Sequence, residues 1–287
     1  MIDKKKHLKI LKKKFDKIKW ENRKTLEKSY FDFIESETVP AIKIEEEVSK
    51  KVTLGISKIG GTPHLAPHMK WPEFENAPMV FFAQLNLSDI ASYHIEDLLP
   101  KRGILYFFAH YEEPVNEYGA EFDFIQPKEK YQVLFFEGDD MGQLKDTSFP
   151  ETMPRCYQFK ESTMRFEPFY EVPNDIYNYT EFEDNLSGND YNRIIEFHET
   201  ISKDLDVSQI LGVPAAVQDD VAIDWAYAYM EEEECDEDED ELAAEFVNIL
   251  TMPIFSNIGG AQGYFGIRKE DLADKNFDAC IFVMQDS

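Results

Sequence analysis

The sequence predicts an α+β protein, rich in antiparallel strands, in which two related halves pack as one body behind an N-terminal amphipathic helix. Three observations lead to this prediction. Short runs of aromatic and β-branched residues, typical of strands, recur through residues 41–169 and again through 246–284. Helical spacing of apolar residues is found instead near the N-terminus and in two later segments. Finally, two stretches of the chain repeat the same order of motifs.

The first thirty residues combine lysines with regularly spaced apolar residues. They contain eleven Lys and one Arg against four acidic residues, a net charge of +8. The spacing of Leu8, Leu11 and Phe15 predicts one basic amphipathic helix, extending toward Ile34, within a segment of residues 1–38. We expect its apolar stripe to dock on the acidic body of the protein. The alternative is a helix that binds a membrane surface or nucleic acid.

The whole chain has a charge of the opposite sign. With 30 Lys plus Arg and 57 Asp plus Glu among 287 residues, its formal net charge is −27. This charge argues against nucleic-acid binding except through residues 1–30, and it suits a basic protein partner. Ten of the eleven residues from Glu231 to Glu241 are acidic. Their mutual repulsion predicts a solvated, mobile insertion at 231–241.

The features that the sequence lacks limit its cellular setting. No apolar run follows the N-terminal lysines, so a secretory signal is not expected. No segment reaches the roughly 20 apolar residues that a transmembrane helix needs. Cys156, Cys235 and Cys280 are widely separated and form no CxxC pair, which favours a reduced environment. We therefore expect a cytoplasmic protein with no transmembrane segment, no cofactor and no bound metal.

A boundary at Thr38–Pro40 separates the N-terminal segment from a domain of residues 39–287. Strands are predicted in this domain at 41–47, 52–57, 79–87, 103–111, 122–125, 133–136, 157–160, 164–169, 246–252, 264–267 and 280–284. Two helices are predicted, one that Asn189 or Asp190 caps and one over 222–230.

The internal repeat pairs residues of about 52–170 with residues of about 205–287. In the first half, Gly61-Thr62-Pro63 precedes an apolar strand and a second strand that follows a glycine. In the second half, Gly212-Val213-Pro214 precedes the same features in the same order. Identity between the halves is low, so the order of the features carries the prediction, and a chance resemblance is the alternative.

Candidate ligand-binding residues gather around these motifs: Gly60, Gly61, Trp71, Gln84, Asn86, Gln218 and Asp219. Two adjacent glycines allow positive φ angles, so the turn at Gly60 can present backbone amides to a ligand, or it can be purely structural. Gln84 and Asn86 share one face of a strand. Their amides can orient a polar ligand or satisfy neighbouring backbone groups.

The remaining candidates carry weaker signals. Trp71 is either a packing residue or an aromatic anchor for a partner. Gln218 and Asp219 follow the second Gly-x-Pro, where an exposed turn is the simpler interpretation. His64 and His68 have the spacing of helical metal ligands, but the prolines beside them break a helix, so we predict no metal site.

Signatures of catalysis are lacking in the sequence. It contains no GxSxG elbow, no HExxH motif and no cysteine in an activating context. Acidic pairs are so abundant that their positions select no general acid and base. No catalytic residue is therefore predicted.

Several short motifs occur in an order that is typical of one family. They are Gly60-Gly61-x-Pro63-x-Leu65, Trp71-Pro72, Phe82-Ala83-Gln84-Leu85-Asn86-Leu87, Gly103-Ile104-Leu105-Tyr106-Phe107-Phe108 and Lys269-Glu270-Asp271-Leu272. This order resembles the YwqG-like family, the domain of unknown function DUF1963, over roughly residues 57–287. The family's second-half acidic stretch and its Trp-Gly-Asp-x-Gly motif are replaced here, the latter by Gly259-Gly260-Ala261-Gln262-Gly263. The resemblance implies no defined activity.

These observations favour a non-enzymatic intracellular interaction protein. Its acidic surface would bind a basic partner, for instance a basic toxin or nuclease that it holds inactive as an immunity protein does. The alternative is a small-molecule-binding protein or enzyme that uses a cleft between the halves, near Gly61, Gln84 and Asn86.

Overall fold

A computed structural model describes residues 3–48, 52–93, 98–110, 125–138, 140–172, 188–202, 208–218, 220–254 and 261–285. The helices in this part of the chain are α1 (Lys4–Phe15), α2 (Arg23–Glu37), α3 (Leu87–Ile90), α4 (Gly188–Ile201), α5 (Val221–Glu233), α6 (Glu239–Ala243) and α7 (Lys269–Ala273). The strands are β1 (Val39–Glu47), β2 (Lys58–Ile59), β3 (His64–Leu65), β4 (Glu73–Phe74), β5 (Ala77–Pro78), β6 (Val80–Asn86), β7 (Ile104–Ala109), β8 (Tyr131–Phe136), β9 (Lys145–Asp146), β10 (Ser162–Glu171), β11 (Gln209–Leu211), β12 (Phe246–Pro253), β13 (Gln262–Arg268) and β14 (Ile281–Gln285).

Ten of these strands form one antiparallel sheet, in the order β14-β13-β12-β11-β1-β10-β2-β6-β7-β8. Its longest pairing is at the centre, where β1 and β10 match over nine residue pairs, from Val39–Glu171 to Glu47–Thr163. A block of four strands lies on each side of this central pair. One block is β2-β6-β7-β8 and the other is β11-β12-β13-β14. The predicted α+β, strand-rich and antiparallel fold is therefore confirmed.

The sheet curls until side chains of the two outer blocks meet on its inner face. The ring of Phe107 on β7 lies 5.0 Å from that of Phe265 on β13, and Phe82 on β6 lies 6.1 Å from Phe282 on β14. An isolated backbone bridge joins Ile125 to β14. Both blocks thus bury aromatic side chains in one core, which makes the sheet nearly barrel-shaped.

The predicted N-terminal amphipathic helix is confirmed, but it does not extend toward Ile34, because the segment forms two helices. Helix α1 ends at Phe15, and α2 starts only at Arg23. Between them the indole of Trp20 stacks on Phe15 at 4.4 Å and donates a hydrogen bond to its carbonyl oxygen. This contact reverses the chain, so that both helices direct apolar side chains into one cluster with α4.

This helical cluster is a second core beside the sheet. Its fully buried members include Phe15, Tyr30 and Ile194. His198, on the apolar stripe of α4, is also buried, and its Nδ1 lies 2.9 Å from the Tyr30 hydroxyl, as expected for a core histidine. The N-terminal helices thus dock on the body of the same protein, chiefly on α4.

Asp190 joins α4 to the start of α2. The sequence predicts Asp190 or Asn189 as the N-cap of α4, but the structure uses the Asp190 carboxylate differently. It is fully buried and accepts hydrogen bonds from the backbone N–H groups of Glu21 and Asn22, at 2.8–3.1 Å. Burial disfavours the charged carboxylate, but these N–H groups and Arg193 outweigh burial and lower its pKa.

The acidic run also has regular structure. Helix α5 continues through Glu233, the next residue adopts a left-handed conformation, and α6 begins at Glu239. All ten acids of the run are solvent-exposed, as their charge predicts. The structure thus places helix ends at both sides of the run and no regular structure at residues 235–238, and the predicted mobility of the insertion stays a prediction.

Other differences concern short segments. Residues 52–57 and 157–160, predicted as strands, contain no strand, and residues 122–124 of another predicted strand lie outside the described part of the chain. Within the described residues, no helix combines the length and the apolar character that crossing a membrane requires.

Replacing Asp190 with alanine should lower the free energy of unfolding by roughly 2–3 kcal/mol, because two backbone N–H groups lose a charged acceptor in a buried position. Urea denaturation of the full chain measures this change. Asp32→Ala is the matched control, since Asp32 is exposed on α2 and pairs only across the surface with Lys28. Equal losses in the two variants would contradict the anchoring role of Asp190.

Candidate functional site

The predicted Gly60–Gly61 turn lies at the end of β2 and is hydrogen-bonded to β6 on one side and to the segment before β10 on the other. Both glycines have positive φ angles, 65° and 69°. The N–H of Gly60 donates to the carbonyl of Phe82 at 2.8 Å, and the N–H of Gly61 donates to that of Phe159 at 3.0 Å. A Cβ atom on Gly60 would lie 2.7 Å from the Lys160 carbonyl oxygen. Both backbone amides thus have partners inside the protein, which corresponds to the structural alternative for this turn.

Three charged or titratable side chains, Lys58, His64 and Glu161, meet beside this turn and form what we call the Lys58 cluster. The Lys58 Nζ lies 3.0 Å from a carboxylate oxygen of Glu161 and 3.3 Å from Nε2 of His64. The Lys58 side chain is completely buried, while that of Glu161 is 42% exposed. The ion pair therefore joins a buried cation to an anion that is in contact with water.

His64 is fixed in this cluster by hydrogen bonds on both of its sides. Its Nδ1 lies 3.0 Å from the Gly55 N–H and 3.1 Å from the Gln84 amide nitrogen. Its carbonyl oxygen accepts a hydrogen bond from the Tyr106 hydroxyl. Burial, and after it the charge of Lys58, lowers the pKa of His64 to about 4. The imidazole is therefore neutral at neutral pH.

The two predicted amide residues hold the segment before β2 against β6. Gln84 is fully buried, and its amide donates to Ile56 and accepts from the backbone N–H of His64. Asn86 donates to the carbonyl of Gly55 at 2.8 Å, and its side-chain oxygen accepts from the first turn of α3. These contacts correspond to the structural alternative that the sequence left open.

Trp71 lies in a separate aromatic cluster. Its indole N–H donates to the carbonyl of Met79 at 2.8 Å, and its ring packs edge-on against Phe108 at 5.8 Å. Half-buried in this cluster, Trp71 packs the loop between β3 and β4 against β7.

The second half of the chain repeats the turn with different chemistry. Leu211 and Gly212, at the end of β11, have φ angles of 60° and 72°. Gln209, three residues before Gly212, occupies the position that Lys58 has relative to Gly61. The Gln209 amide lies 3.3 Å from a carboxylate oxygen of Glu171, and the N–H of Val213 donates to the same oxygen. A neutral amide thus stands where the first turn has an ammonium group.

Glu171 consequently lacks a cationic partner among the described residues. It is half-buried, and burial raises its pKa to about 7, against the opposing effect of the Val213 and Gln209 hydrogen bonds. A Cβ atom on Gly212 would overlap the Glu171 carboxylate. Glycine is therefore favoured at this position both by the close approach of Glu171 and by the positive φ angle.

Gln218 lies in the second block, beside β14. The backbone N–H groups of Val217 and Gln218 donate to the side-chain oxygen of Gln285 at 2.9 Å and 3.2 Å. Asp219 lies outside the described residues. The structure therefore places Gly60, Gly61, Gln84 and Asn86 together, around β2 and the residues just before it. Gln218 lies apart from them, beside β14.

The geometry includes functional groups that the sequence analysis missed. Lys58, Glu161 and Glu171 were not candidates, because charged residues next to strands are usually solvated. One signal could have identified Lys58: it lies at the same distance before Gly61 as Gln209 does before Gly212. In the described part of the chain, no three His, Cys, Asp or Glu side chains are arranged to hold a metal ion.

Comparison with known proteins agrees with the motif order. The family model DUF1963, a domain of unknown function, matches residues 57–285. The matched region begins just before β2 and ends in β14, so α1, α2 and β1 precede it. A separate comparison with curated proteins finds no match.

Removing the charge of Glu161 and removing the charge of Lys58 should have unequal effects on stability, because only Lys58 is buried. Glu161→Gln leaves a buried ammonium group without a counter-ion, so it should lower the free energy of unfolding by roughly 3 kcal/mol or more. Lys58→Met leaves only a carboxylate that water can solvate, and it should cost clearly less. Chemical denaturation of both variants measures the difference, and a larger loss in Lys58→Met would refute this description of the pair.

The raised pKa of Glu171 predicts that the stability of the protein depends on pH. Its pKa is raised in the folded protein from 4.5 to about 7, so ionisation destabilises the fold as pH rises through this window. Glu171→Gln removes this loss. The variant should therefore gain stability relative to wild type, by about 1–3 kcal/mol, between the two pH values.

Thermal or urea unfolding across this pH range provides the measurement. Glu167→Gln, an exposed position on the same strand, is the control and should follow wild type at every pH. A stability difference between wild type and Glu171→Gln that does not change with pH would show that the raised pKa is wrong.

Proposed function

Because the chain belongs to the DUF1963 family, a domain of unknown function, we propose its function from its own surface: it is a non-enzymatic interaction protein whose acidic face binds a cationic protein partner. The observation that carries the proposal is the exposure of all ten acids of the run on and between the ends of α5 and α6. We call residues 231–241, with the helix ends that hold them, the acidic face.

The helices that carry the acidic face are held in place by buried apolar contacts. Trp225 on α5 is buried against β13, where its indole N–H lies 3.4 Å from the carbonyl oxygen of Tyr264. Leu242 on α6 is buried beside Ala226 of α5. The Asp238 side chain accepts a hydrogen bond from the N–H of Glu241 and so caps α6. Both helices therefore have fixed positions on the sheet.

The charges of this face are not neutralised by the protein itself. None of the ten acids has an ion-pair partner among the residues that the structure describes. Nearby Arg268 pairs instead with Glu245 and Glu270. Like charges held close together raise the free energy of the free protein, and a cationic partner would relieve this repulsion.

Tyr227 adds an aromatic group to the acidic face. It is 41% exposed, and its hydroxyl donates a hydrogen bond to Glu239. Exposed tyrosines beside charged residues are frequent binding hot spots, because one ring supplies both apolar area and a polar end. In this proposal the partner is a basic protein, for instance a toxin or nuclease whose cationic surface the acidic face covers.

The alternative function, ligand binding in a cleft between the halves, has less support. The inner face between the two blocks is filled by aromatic side chains such as Phe82, Phe107 and Phe265. The amides of Gln84 and Asn86 are engaged with backbone groups.

An oligolysine peptide labelled with a fluorophore tests the proposal. Neutralising Glu231, Glu233, Asp236 and Glu237 with their amide counterparts should weaken its binding roughly tenfold at low salt and flatten the salt dependence. Fluorescence anisotropy titrations measure both effects.

A matched variant neutralises four exposed acids elsewhere, namely Glu35, Glu37, Glu73 and Glu167. It removes the same charge and should change the affinity less than about twofold. If both variants lose affinity equally, net charge alone explains binding, and the acidic face has no special role.

A further inference from the structure

A surface cavity of about 370 Å³ lies between the end of α1 and one side of α4. Its lining combines basic and apolar groups: Lys14, Lys17, Arg193, Glu196, Ile18 and Phe197. Three cations thus face one acid in a chain whose net charge is −27. We call this cavity the α1–α4 pocket.

The basic groups of the pocket come from two elements and are available to a ligand. Lys14 and Lys17 are exposed, and neither takes part in an ion pair within the described residues. Arg193 is held through Nη1, which lies 3.4 Å from Asp190 and 3.9 Å from Glu21. A guanidinium carries five N–H donors, so Arg193 can still donate to an anion while these contacts fix its position.

The apolar part of the pocket is packed against the helical cluster. Phe197 is 5% exposed and packs edge-on against Phe15, with ring centroids 5.6 Å apart. Ile18, half-buried, belongs to the same helical cluster. A ligand can therefore bury an apolar group against this surface while the lysines and Arg193 face its charge.

Helix electrostatics alone do not explain this arrangement. Lysines in the last turn of a helix are favoured by its dipole, which accounts for Lys12, Lys13 and Lys14 on α1. Lys17 follows the end of the helix, however, and Arg193 belongs to α4. Their convergence around Phe197 requires a further reason.

We propose that the α1–α4 pocket binds a small amphiphilic anion, that is, a carboxylate, phosphate or sulfonate joined to an aromatic or short aliphatic group. The cavity volume lies within the range of small-molecule sites. The cations would orient the charged group, and Phe197 with Ile18 would bury the apolar group. This site is separate from the acidic face and takes a ligand of the opposite charge.

Titration with 1-anilinonaphthalene-8-sulfonate, a fluorescent amphiphilic anion, tests the proposal on the full chain. Lys14→Gln combined with Lys17→Gln should weaken binding about fivefold to tenfold. Thr200→Trp, which places an indole at a lining position without changing charge, should weaken it as well. Lys9→Gln combined with Lys13→Gln removes the same charge from exposed positions of α1 and should leave the affinity unchanged.

Vesicles of phosphatidylcholine with and without phosphatidylglycerol distinguish a free ligand from a lipid headgroup. The proposal expects saturable dye binding that both pocket variants weaken, whether or not the anionic vesicles also bind. Equal loss in the two lysine pairs, or dye binding that Thr200→Trp leaves intact, would overturn it. Binding to anionic vesicles without binding of the dye would overturn it too, because the lysines would then act as a surface patch.

Discussion

The pairing of β1 with β10 is the interaction on which the rest of this structure depends. Nine residue pairs join these strands, and each then extends the sheet outward, β10 through β2 and β1 through β11. The two outer blocks are hydrogen-bonded to this centre, and they meet again across the inner face through aromatic rings. Strand β1 precedes the region that matches the family model, so in this chain the centre of the sheet is completed from outside that region.

The turns at Gly60–Gly61 and Leu211–Gly212 share a backbone conformation but differ in the side chains beside them. Each has two consecutive residues with positive φ angles at the end of a short strand, and each lies against a carboxylate from β10 or the residue before it. The first turn balances its carboxylate with the Lys58 ammonium, and the second uses the neutral Gln209 amide. Burial raises the pKa of the Glu171 carboxyl group, and burial followed by the charge of Lys58 lowers the pKa of His64.

The N-terminal helices and the region of α5 and α6 carry charge of opposite sign. The N-terminal helices bring lysines beside α4, and the ten acids of residues 231–241 lie in the end of α5, the start of α6 and the segment between them. Both surfaces rest on apolar anchors, Phe15 and Phe197 for the first and Trp225 and Leu242 for the second. In the proposed function, the arrangement of these charges would favour a partner that matches their positions as well as their sign.

Sequence reasoning captured the class of the fold and most long strands, since runs such as residues 80–86 and 104–109 are apolar throughout. It also identified the Gly60–Gly61 turn and the structural alternative for Gln84. It could not locate the partners of Asp190 and Glu171, because these contacts join residues far apart in the chain and depend on tertiary packing. The break between α1 and α2 was missed for the same reason: the contact of Trp20 with Phe15 and the hydrogen bonds from the Glu21 and Asn22 N–H groups to Asp190 override a continuous helical pattern.

Hydrogen exchange of the backbone amides tests the central role of β1 most directly. Amides of central β1, around Ile42 and Ile44, should exchange as slowly as those of β6 and β12, because β1 is paired on both sides near its start and opens only with the whole sheet. Fast exchange in β1, with β6 and β12 still protected, would mean that the two blocks hold together without it and would contradict this account.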